Sequence, residues 1–154
     1  MKIAVIGIGQ SLRGDDAAGL EAVRLWQQHS DSAAHIHVEL SELPGLRLLD
    51  MLSGMEAAIL VDAVHSSSAP GTLHRLGPDD LAAFTPDAGS AHGWGVAETL
   101  QLGRSLYPWL ADCRISLIGI EAGPMDMGAD LSPQVRAALP GAATMIEKEV
   151  QGLL

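Results

Sequence analysis

The chain contains little cysteine, few aromatic residues and few basic residues. Its 154 residues include one cysteine, one phenylalanine and one tyrosine. A single cysteine excludes an intramolecular disulfide and favours a cytoplasmic location. Nine lysine and arginine residues stand against nineteen aspartate and glutamate residues, a formal net charge of −10. Because nucleic-acid binding requires clustered basic side chains, nucleic acid is not an expected partner. No apolar run reaches the roughly 18 residues of a membrane span, so no membrane contact is expected.

Apolar runs alternate with segments of helical periodicity along the chain. The runs KIAVIGI, HIHVEL, AAILVDAV and RISLIGIE are typical of strands, and GTLHRL predicts a short edge strand. This alternation predicts an α/β fold, a three-layer αβα sandwich with a twisted, mostly parallel central sheet of about five strands. Residues 1–154 are expected to form one domain, since no repeat or linker interrupts the pattern.

Two further segments carry local predictions. Residues 77–93 are rich in glycine, proline, aspartate and serine, which predicts a long loop. The last helix is expected to begin at Ser132-Pro133. Pro140 lies within it and is expected to kink or restart it, because proline cannot donate a helical hydrogen bond.

The segment GIGQSLRGDDAAG follows the first predicted strand and resembles a nucleotide-binding turn only in part. Gly7 and Gly9 fit such a turn, but Leu12 stands where the third glycine would be needed. Asp15 and Asp16 would occupy the first turn of the next helix, where they would repel a phosphate. No Gly-Lys-Ser/Thr phosphate loop is present either. Nucleotide binding is therefore disfavoured, although the two acids could be helix-capping residues and nothing more.

Three other features point to a cation site. Asp16 follows the first strand, Asp62 ends the apolar run ILVD of the third, and His92 lies in the glycine-rich SAHGWG. Ligand sites of open α/β sheets form at the carboxyl ends of the strands. A buried aspartate is costly unless it is paired or liganded. Two carboxylates and an imidazole at one edge would suit a divalent transition metal. Alternatively, the acids are ordinary helix and strand ends.

These segments, in this order, resemble the nickel-iron hydrogenase maturation endopeptidases. The resemblance rests on GIGQSLRGDDAAG, ILVDAV, APGTLHRL, SAHGWGVAETL and ISLIGIE followed by LSPQVRAAL, which together cover nearly the whole chain. Gln10 stands where the family usually has asparagine. The resemblance implies an αβα fold and a hydrolase, an aspartyl-type endopeptidase. It also implies that Asp16, Asp62 and His92 are both the catalytic and the metal-contacting residues.

The resemblance further implies a substrate and a cofactor. Such enzymes remove a C-terminal extension from the hydrogenase large-subunit precursor once nickel has been inserted. The nickel is held by the precursor and serves as the recognition signal, so the isolated protein can lack it. A monomer is expected. A non-cleaving, metal-binding chaperone or assembly factor for the same precursor is the alternative. The sequence has no His-Glu-x-x-His and no Gly-x-Ser-x-Gly, so the attacking base stays open.

Several other polar residues have two interpretations each. His35 and His37 alternate along a predicted strand, as a metal pair or as a solvated edge. His65 follows Asp62 by three residues and is interpreted as an additional ligand or as a substrate contact. Glu121 either lines the floor of the crevice or makes a structural hydrogen bond. Asp15 is interpreted as a capping residue.

The segment around His92 has a further property. Gly93 and Gly95 add no side-chain bulk and would let this segment approach a peptide closely. Trp94, between them, either covers the substrate tail or packs internally.

Overall fold

The computed structural model describes residues 1–42, 45–82 and 95–154. Its strands are β1 (Ile3–Ile8), β2 (His37–Ser41), β3 (Ala57–Val64), β4 (Leu73–Leu76) and β5 (Arg114–Glu121). Its α-helices are α1 (Ala18–His29), α2 (Leu46–Leu52), α3 (Pro78–Ala82), α4 (Gly95–Leu106) and α5 (Pro133–Leu153). Short 3₁₀ turns cover Gly14–Ala17, Ser32–His35 and Pro108–Asp112.

The strands form one five-stranded sheet in the order β2-β1-β3-β5-β4. Neighbours from β2 to β5 are parallel, and β4 pairs antiparallel with β5 at the edge. Every residue of β1 is buried, as expected for a central strand covered on both faces. The predicted α/β class and mostly parallel sheet are confirmed, and GTLHRL contributes the predicted edge strand.

The core lies in two layers because side chains alternate across each strand. On one face, Val5, Ile59 and Ile118 pack with Trp26 of α1 and Ile146 of α5. On the other face, the residues between them along the strands pack against α2 and α4; these include Ile6, Leu60, Leu117, Leu49 and Leu100. Burial of each large aliphatic side chain stabilises the fold by about 1.5–3 kcal/mol. The central sheet is thus held between two helical layers.

Three local predictions differ from the structure. Pro140 lies inside a continuous α5, so the predicted restart is wrong. Val135 before it and Ile146 after it are fully buried, and this packing carries the helix across the one hydrogen bond that proline cannot donate. The predicted loop 77–93 begins with the short helix α3, and its residues from 83 onwards lie outside the described ranges.

The strand predicted for HIHVEL begins later than expected. His35 closes the turn Ser32–His35, and β2 starts at His37, so the two histidines do not alternate along one strand. His37 Nε2 lies 2.8 Å from Glu39 Oε1 on the same exposed strand. Within the described residues, no helix is long and apolar enough to cross a bilayer.

Candidate functional site

The backbone at the connection between β1 and α1 packs closely at two glycines, Gly9 after β1 and Gly19 in α1. Gly9 has φ +154°, and a Cβ there would lie 2.0 Å from the backbone oxygen of Asp16. A Cβ on Gly19 would lie 2.3 Å from the backbone oxygen of Val61. Only glycine fits at either position, because no side-chain carbon can approach backbone oxygen so closely. The turn carrying Asp16 therefore folds back onto β1, and α1 crosses β3 one residue before Asp62.

Asp15 fixes the other side of this turn. Its side chain is fully buried and accepts hydrogen bonds from Gly123 N (2.8 Å), Ser132 N (2.7 Å) and Ser132 Oγ (2.8 Å). No side chain caps the turn Gly14–Ala17 or α1, so the interpretation of Asp15 as a capping residue for that helix is wrong. Instead it ties the Asp16 turn to the start of α5. Asp16, its neighbour, is left partly exposed.

Asp62 lies near the carboxyl end of β3, with two further strand residues after it. It follows Ala58 and Leu60 on the α2–α4 face of the sheet. Burial, then the negative charge of Asp16, raises the pKa of the Asp62 carboxyl from 3.8 to about 8, against a smaller opposing effect of a hydrogen bond from the Ala63 backbone. The two carboxyl groups are therefore close enough to repel one another when both are ionised.

The structure brings together two of the three residues predicted for the metal site. Asp16 and Asp62 lie near one another at the carboxyl edge of the sheet, close enough for the charge of Asp16 to raise the pKa of Asp62, whereas His92 lies outside the described residues. Within the described ranges, no group of three or more His, Cys, Asp or Glu side chains is placed to hold a metal ion. To hold a metal ion, Asp16 and Asp62 would need a further ligand from outside the described residues, and His92 stays a prediction in that role.

A cavity of about 360 Å³ opens beside Asp62. It lies between the ends of the central strands and the helices α2 and α4. Its described lining residues are Ile8, Ser41, Gly45, Leu48, Asp62, Gly95, Val96 and Thr99. Of these, only Asp62 and Gly95 were singled out from the sequence. The others come from separate elements, and nothing in their local patterns distinguishes them from ordinary core or loop residues.

Glu121 is part of a separate buried network at the same end of the sheet. Its carboxylate accepts hydrogen bonds from Ser66 N (2.8 Å) and Ser66 Oγ (2.5 Å), and His74 Nε2 lies 3.0 Å away. Burial alone would raise the pKa of Glu121, but these hydrogen bonds outweigh it and lower the pKa. The same His74 nitrogen, Nε2, lies near both Ser66 Oγ (3.3 Å) and Glu121. In a catalytic triad the serine and the acid contact different nitrogens of the histidine, so this arrangement is not a triad. The structural interpretation of Glu121 is therefore favoured.

His65 contacts a different segment from the one expected. Its Nε2 lies 3.2 Å from Met125 Sδ, on the connection between β5 and α5. The described contacts of His65 do not include Asp62. The structure therefore gives no support to His65 as an additional ligand beside that carboxyl.

A larger cavity of about 620 Å³ lies between α1 and α5, towards the end of α1 remote from Asp16. It contains the carboxylate of Glu147, which accepts hydrogen bonds from four side chains: Trp26 Nε1 (2.6 Å), Ser30 Oγ (2.6 Å), Ser32 Oγ (2.9 Å) and Gln151 Nε2 (2.9 Å). These hydrogen bonds lower the pKa of Glu147 to about 2. The carboxylate is fully occupied and fastens the end of α1 to α5, so it serves the fold.

Comparison with known proteins identifies the family of this chain. The family model described as hydrogenase maturation protease matches residues 43–149, more than half of the chain. The chain belongs to the hydrogenase maturation protease family. Family membership makes it a hydrolase, a peptidase. The match includes Asp62 and His92, while Asp16 lies before it.

Individual relatives extend the similarity to the whole chain. The Escherichia coli hydrogenase 2 maturation protease is 25% identical over 147 residues, covering 95% of this chain and 88% of that protein. The hydrogenase expression/formation protein HupD of Thiocapsa roseopersicina is 29% identical over 148 residues, which are 94% of this chain and 65% of that relative.

Two solved structures share the fold. The nickel-iron hydrogenase maturation protease HybD of Thermococcus kodakarensis has a TM-score of 0.71 and 29% identity, covering 97% of this chain and 99% of that one. The hydrogenase maturating endopeptidase HybD of E. coli has a TM-score of 0.75 and 25% identity, covering 99% of this chain and 93% of that one.

Proposed function

We propose that this protein removes the C-terminal extension from a nickel-loaded nickel-iron hydrogenase large-subunit precursor, and that the nickel is the recognition signal. Family membership supports a peptidase of hydrogenase maturation. The observation that carries the site is the carboxyl of Asp62, partly buried, with a pKa raised by burial and by Asp16, beside an open cavity. Strongly shifted carboxyl groups in a cleft are typical of functional sites.

Asp16 and Asp62 would contact the nickel that the precursor carries, with His92 as the third contact. Carboxylate and imidazole groups suit a divalent transition metal, and two or three of them leave coordination positions for the ligands of the precursor. A cation next to both acids offsets their mutual repulsion and favours the ionised form of Asp62. A precursor without nickel offers no such compensation, which accounts for a checkpoint on metal insertion.

The peptide bond would then be hydrolysed by water with help from the same carboxylates. A carboxylate accepts a proton from the attacking water as the oxygen bonds to the carbonyl carbon. The C–N bond breaks when the leaving amine receives that proton. Asp62 holds a proton near neutral pH in the free protein, while the Asp16 charge raises its pKa. Two coupled acids of this kind can divide the roles of acid and base.

We also propose the cytoplasm as the place of this reaction and a monomer as the active form. The single cysteine favours the cytoplasm. The net charge of −10 disfavours nucleic acid as a partner. Light scattering of the purified protein checks the monomer, and a dimer at working concentration would contradict it.

The test is cleavage of the purified large-subunit precursor, followed by mass spectrometry with and without nickel. The wild-type protein should shorten the nickel-loaded precursor and leave the nickel-free form intact. Asp16→Asn, Asp62→Asn and His92→Ala should each slow cleavage by at least about a hundredfold, a typical effect of losing an acid–base group. Asp112→Asn is the matched control, because Asp112 is exposed and precedes β5 at the opposite edge of the sheet.

Two outcomes would contradict the proposal. If the wild-type protein binds the precursor without changing its mass, the protein acts as a non-cleaving assembly factor. If all three variants cleave at the wild-type rate, the reaction does not depend on this site.

A further inference from the structure

The cavity beside Asp62 has mostly apolar walls. Ile8 at the end of β1, Leu48 of α2 and Val96 of α4 are all buried and face it from three different elements. Thr99 Oγ1 donates a hydrogen bond to Gly95 O (3.0 Å), so this hydroxyl is already used within α4. Asp62 is the one ionisable side chain among the described lining residues. The cavity therefore offers a neutral, apolar surface directly next to the proposed catalytic carboxyl.

Gly95 borders this cavity without close contact to the described residues. A Cβ added at Gly95 would meet no described atom within 4 Å. Gly103 in the same helix is different, because a Cβ there would lie 2.6 Å from Leu49 Cδ2. Close packing thus explains Gly103, whereas no packing against the described part of the chain explains Gly95. Glycine within a helix is less favourable than alanine by up to about 1 kcal/mol, although the cost is smaller at the first position.

The volume also fits a ligand. About 360 Å³ lies within the range of roughly 300–1,000 Å³ in which small ligands bind. A charged side chain entering this space would lose its hydration against Ile8, Leu48 and Val96. An apolar side chain would instead gain about 25 cal/mol for each Å² removed from water. The walls therefore favour an uncharged, apolar occupant.

We propose that this cavity is the subsite for an apolar side chain of the precursor next to the scissile bond, and that Gly95 sets its size. The inference rests on the proposed function, since Asp62 is both a wall of the cavity and a proposed catalytic group. An occupant seated here lies beside the carboxyl that acts on the peptide bond. Size selection at this point would position the substrate backbone as well as discriminate between sequences.

The experiment enlarges the side chain at position 95 and reduces the substrate in parallel. Gly95→Ala and Gly95→Leu are compared with Gly152→Ala and Gly152→Leu. Gly152 is the matched control, because its added Cβ also meets no described atom within 4 Å but it lies near the end of α5. Mass spectrometry of the wild-type reaction first locates the cut. Precursors are then prepared with alanine, leucine, phenylalanine or lysine at the residue on each side of it.

Gly95→Leu should lower kcat/KM at least about tenfold on a precursor with a large apolar flanking residue. Alanine at that residue should restore most of the rate, which a merely structural defect would not allow. Gly95→Ala should show a smaller loss of kcat/KM of the same kind. It tests the subsite if Gly95→Leu folds poorly. The Gly152 variants should match the wild type on every precursor. Thermal unfolding confirms that each compared variant is folded.

The failure of the subsite is distinguishable from the failure of the function. Wild-type protein that cuts no precursor would overturn both. Wild-type cleavage with Gly95 variants that are as fast as wild type on every precursor would overturn the subsite alone. So would Gly95 variants that are equally slow on small and large flanking residues, or a preference of the wild type for lysine at the position in question.

Discussion

Replacing Asp62 with asparagine removes a carboxyl group whose proton affinity depends on the fold. In the folded, metal-free protein, burial and the charge of Asp16 raise its pKa from 3.8 to about 8. The folded state then binds this proton more tightly than the unfolded state. The stabilising contribution is fully present below about pH 4 and is lost as the pH rises through about 8. Wild-type protein should therefore become less stable across this range relative to Asp62→Asn.

The size of the effect follows from the shift. One pKa unit corresponds to 1.36 kcal/mol, so a rise from 3.8 to about 8 gives at most about 6 kcal/mol. Asp62 is partly exposed at the cavity, which reduces the effect to about 2–4 kcal/mol. The acids with lowered pKa values, Glu42, Glu121 and Glu147, change stability in the opposite direction and below about pH 5. These acids are common to wild type and Asp62→Asn, so their contributions cancel in the difference between the two proteins.

The measurement is urea unfolding of metal-free wild type and Asp62→Asn at pH 5, 6, 7 and 8. The free energy of unfolding of Asp62→Asn minus that of wild type should grow steadily with pH. Asp16→Asn should reduce the pH dependence of Asp62, because it removes the neighbouring charge. Asp112→Asn, an exposed acid at the other edge, should run parallel to wild type. A constant difference between wild type and Asp62→Asn from pH 5 to 8 would refute the raised pKa and the coupling of the two acids.

Three other changes test the packing of the fold, each by urea unfolding. Glu147→Gln should cost about 1–2 kcal/mol at pH 7, because hydrogen bonds lower the pKa of Glu147 to about 2 and partial exposure reduces the full effect of that shift. This loss should shrink as the pH falls from about 4.5 towards 2; a loss that does not change with pH would contradict it. Gly19→Ala should lower the free energy of unfolding by at least about 3 kcal/mol, because its Cβ would lie 2.3 Å from Val61 O. Gly152→Ala, the control, should be neutral or stabilising. Equal effects of the two changes would contradict the close packing of α1 on β3. Glu121→Ala should cost about 1–3 kcal/mol, because it leaves the partly buried donors of Ser66 without their acceptor. A neutral change would show that the network is dispensable.

The sequence predicts the sheet well because local patterns determine it. The continuous apolar runs of β1, β3 and β5 identify central strands, and the parallel arrangement places their carboxyl ends at one edge. That rule alone brings Asp16 and Asp62 together. Gly9 after β1 and Gly19 in α1 then allow the backbone segments to pack closely there, because only glycine fits at these contacts. His92 as the third member, and residues 1–154 as one domain, stay predictions.

The remaining contacts depend on residues that are far apart in the chain. Asp15 meets Ser132 across 117 positions, and Glu147 meets Trp26 across 121. No local pattern in a single sequence encodes such pairs. Pro140 likewise shows that local patterns do not predict every feature of the fold. Its local effect on α5 is overridden by the long-range packing of Val135 and Ile146. The cavity beside Asp62 is likewise assembled from five separate elements.

Four buried or partly buried carboxyl groups of the fold differ in the number of hydrogen bonds that they accept. Asp15 and Glu121 accept three hydrogen bonds each and Glu147 accepts four, so these carboxylates stabilise the structure as they stand. Asp62 receives one backbone hydrogen bond, from Ala63, and no described side chain donates to it, while Asp16 repels its charge. Among these four acids, Asp62 is thus the one with the fewest described hydrogen-bond donors and a strongly raised pKa. The proposed function accounts for this state, because the nickel of the precursor would offset the repulsion between Asp62 and Asp16 when both are ionised.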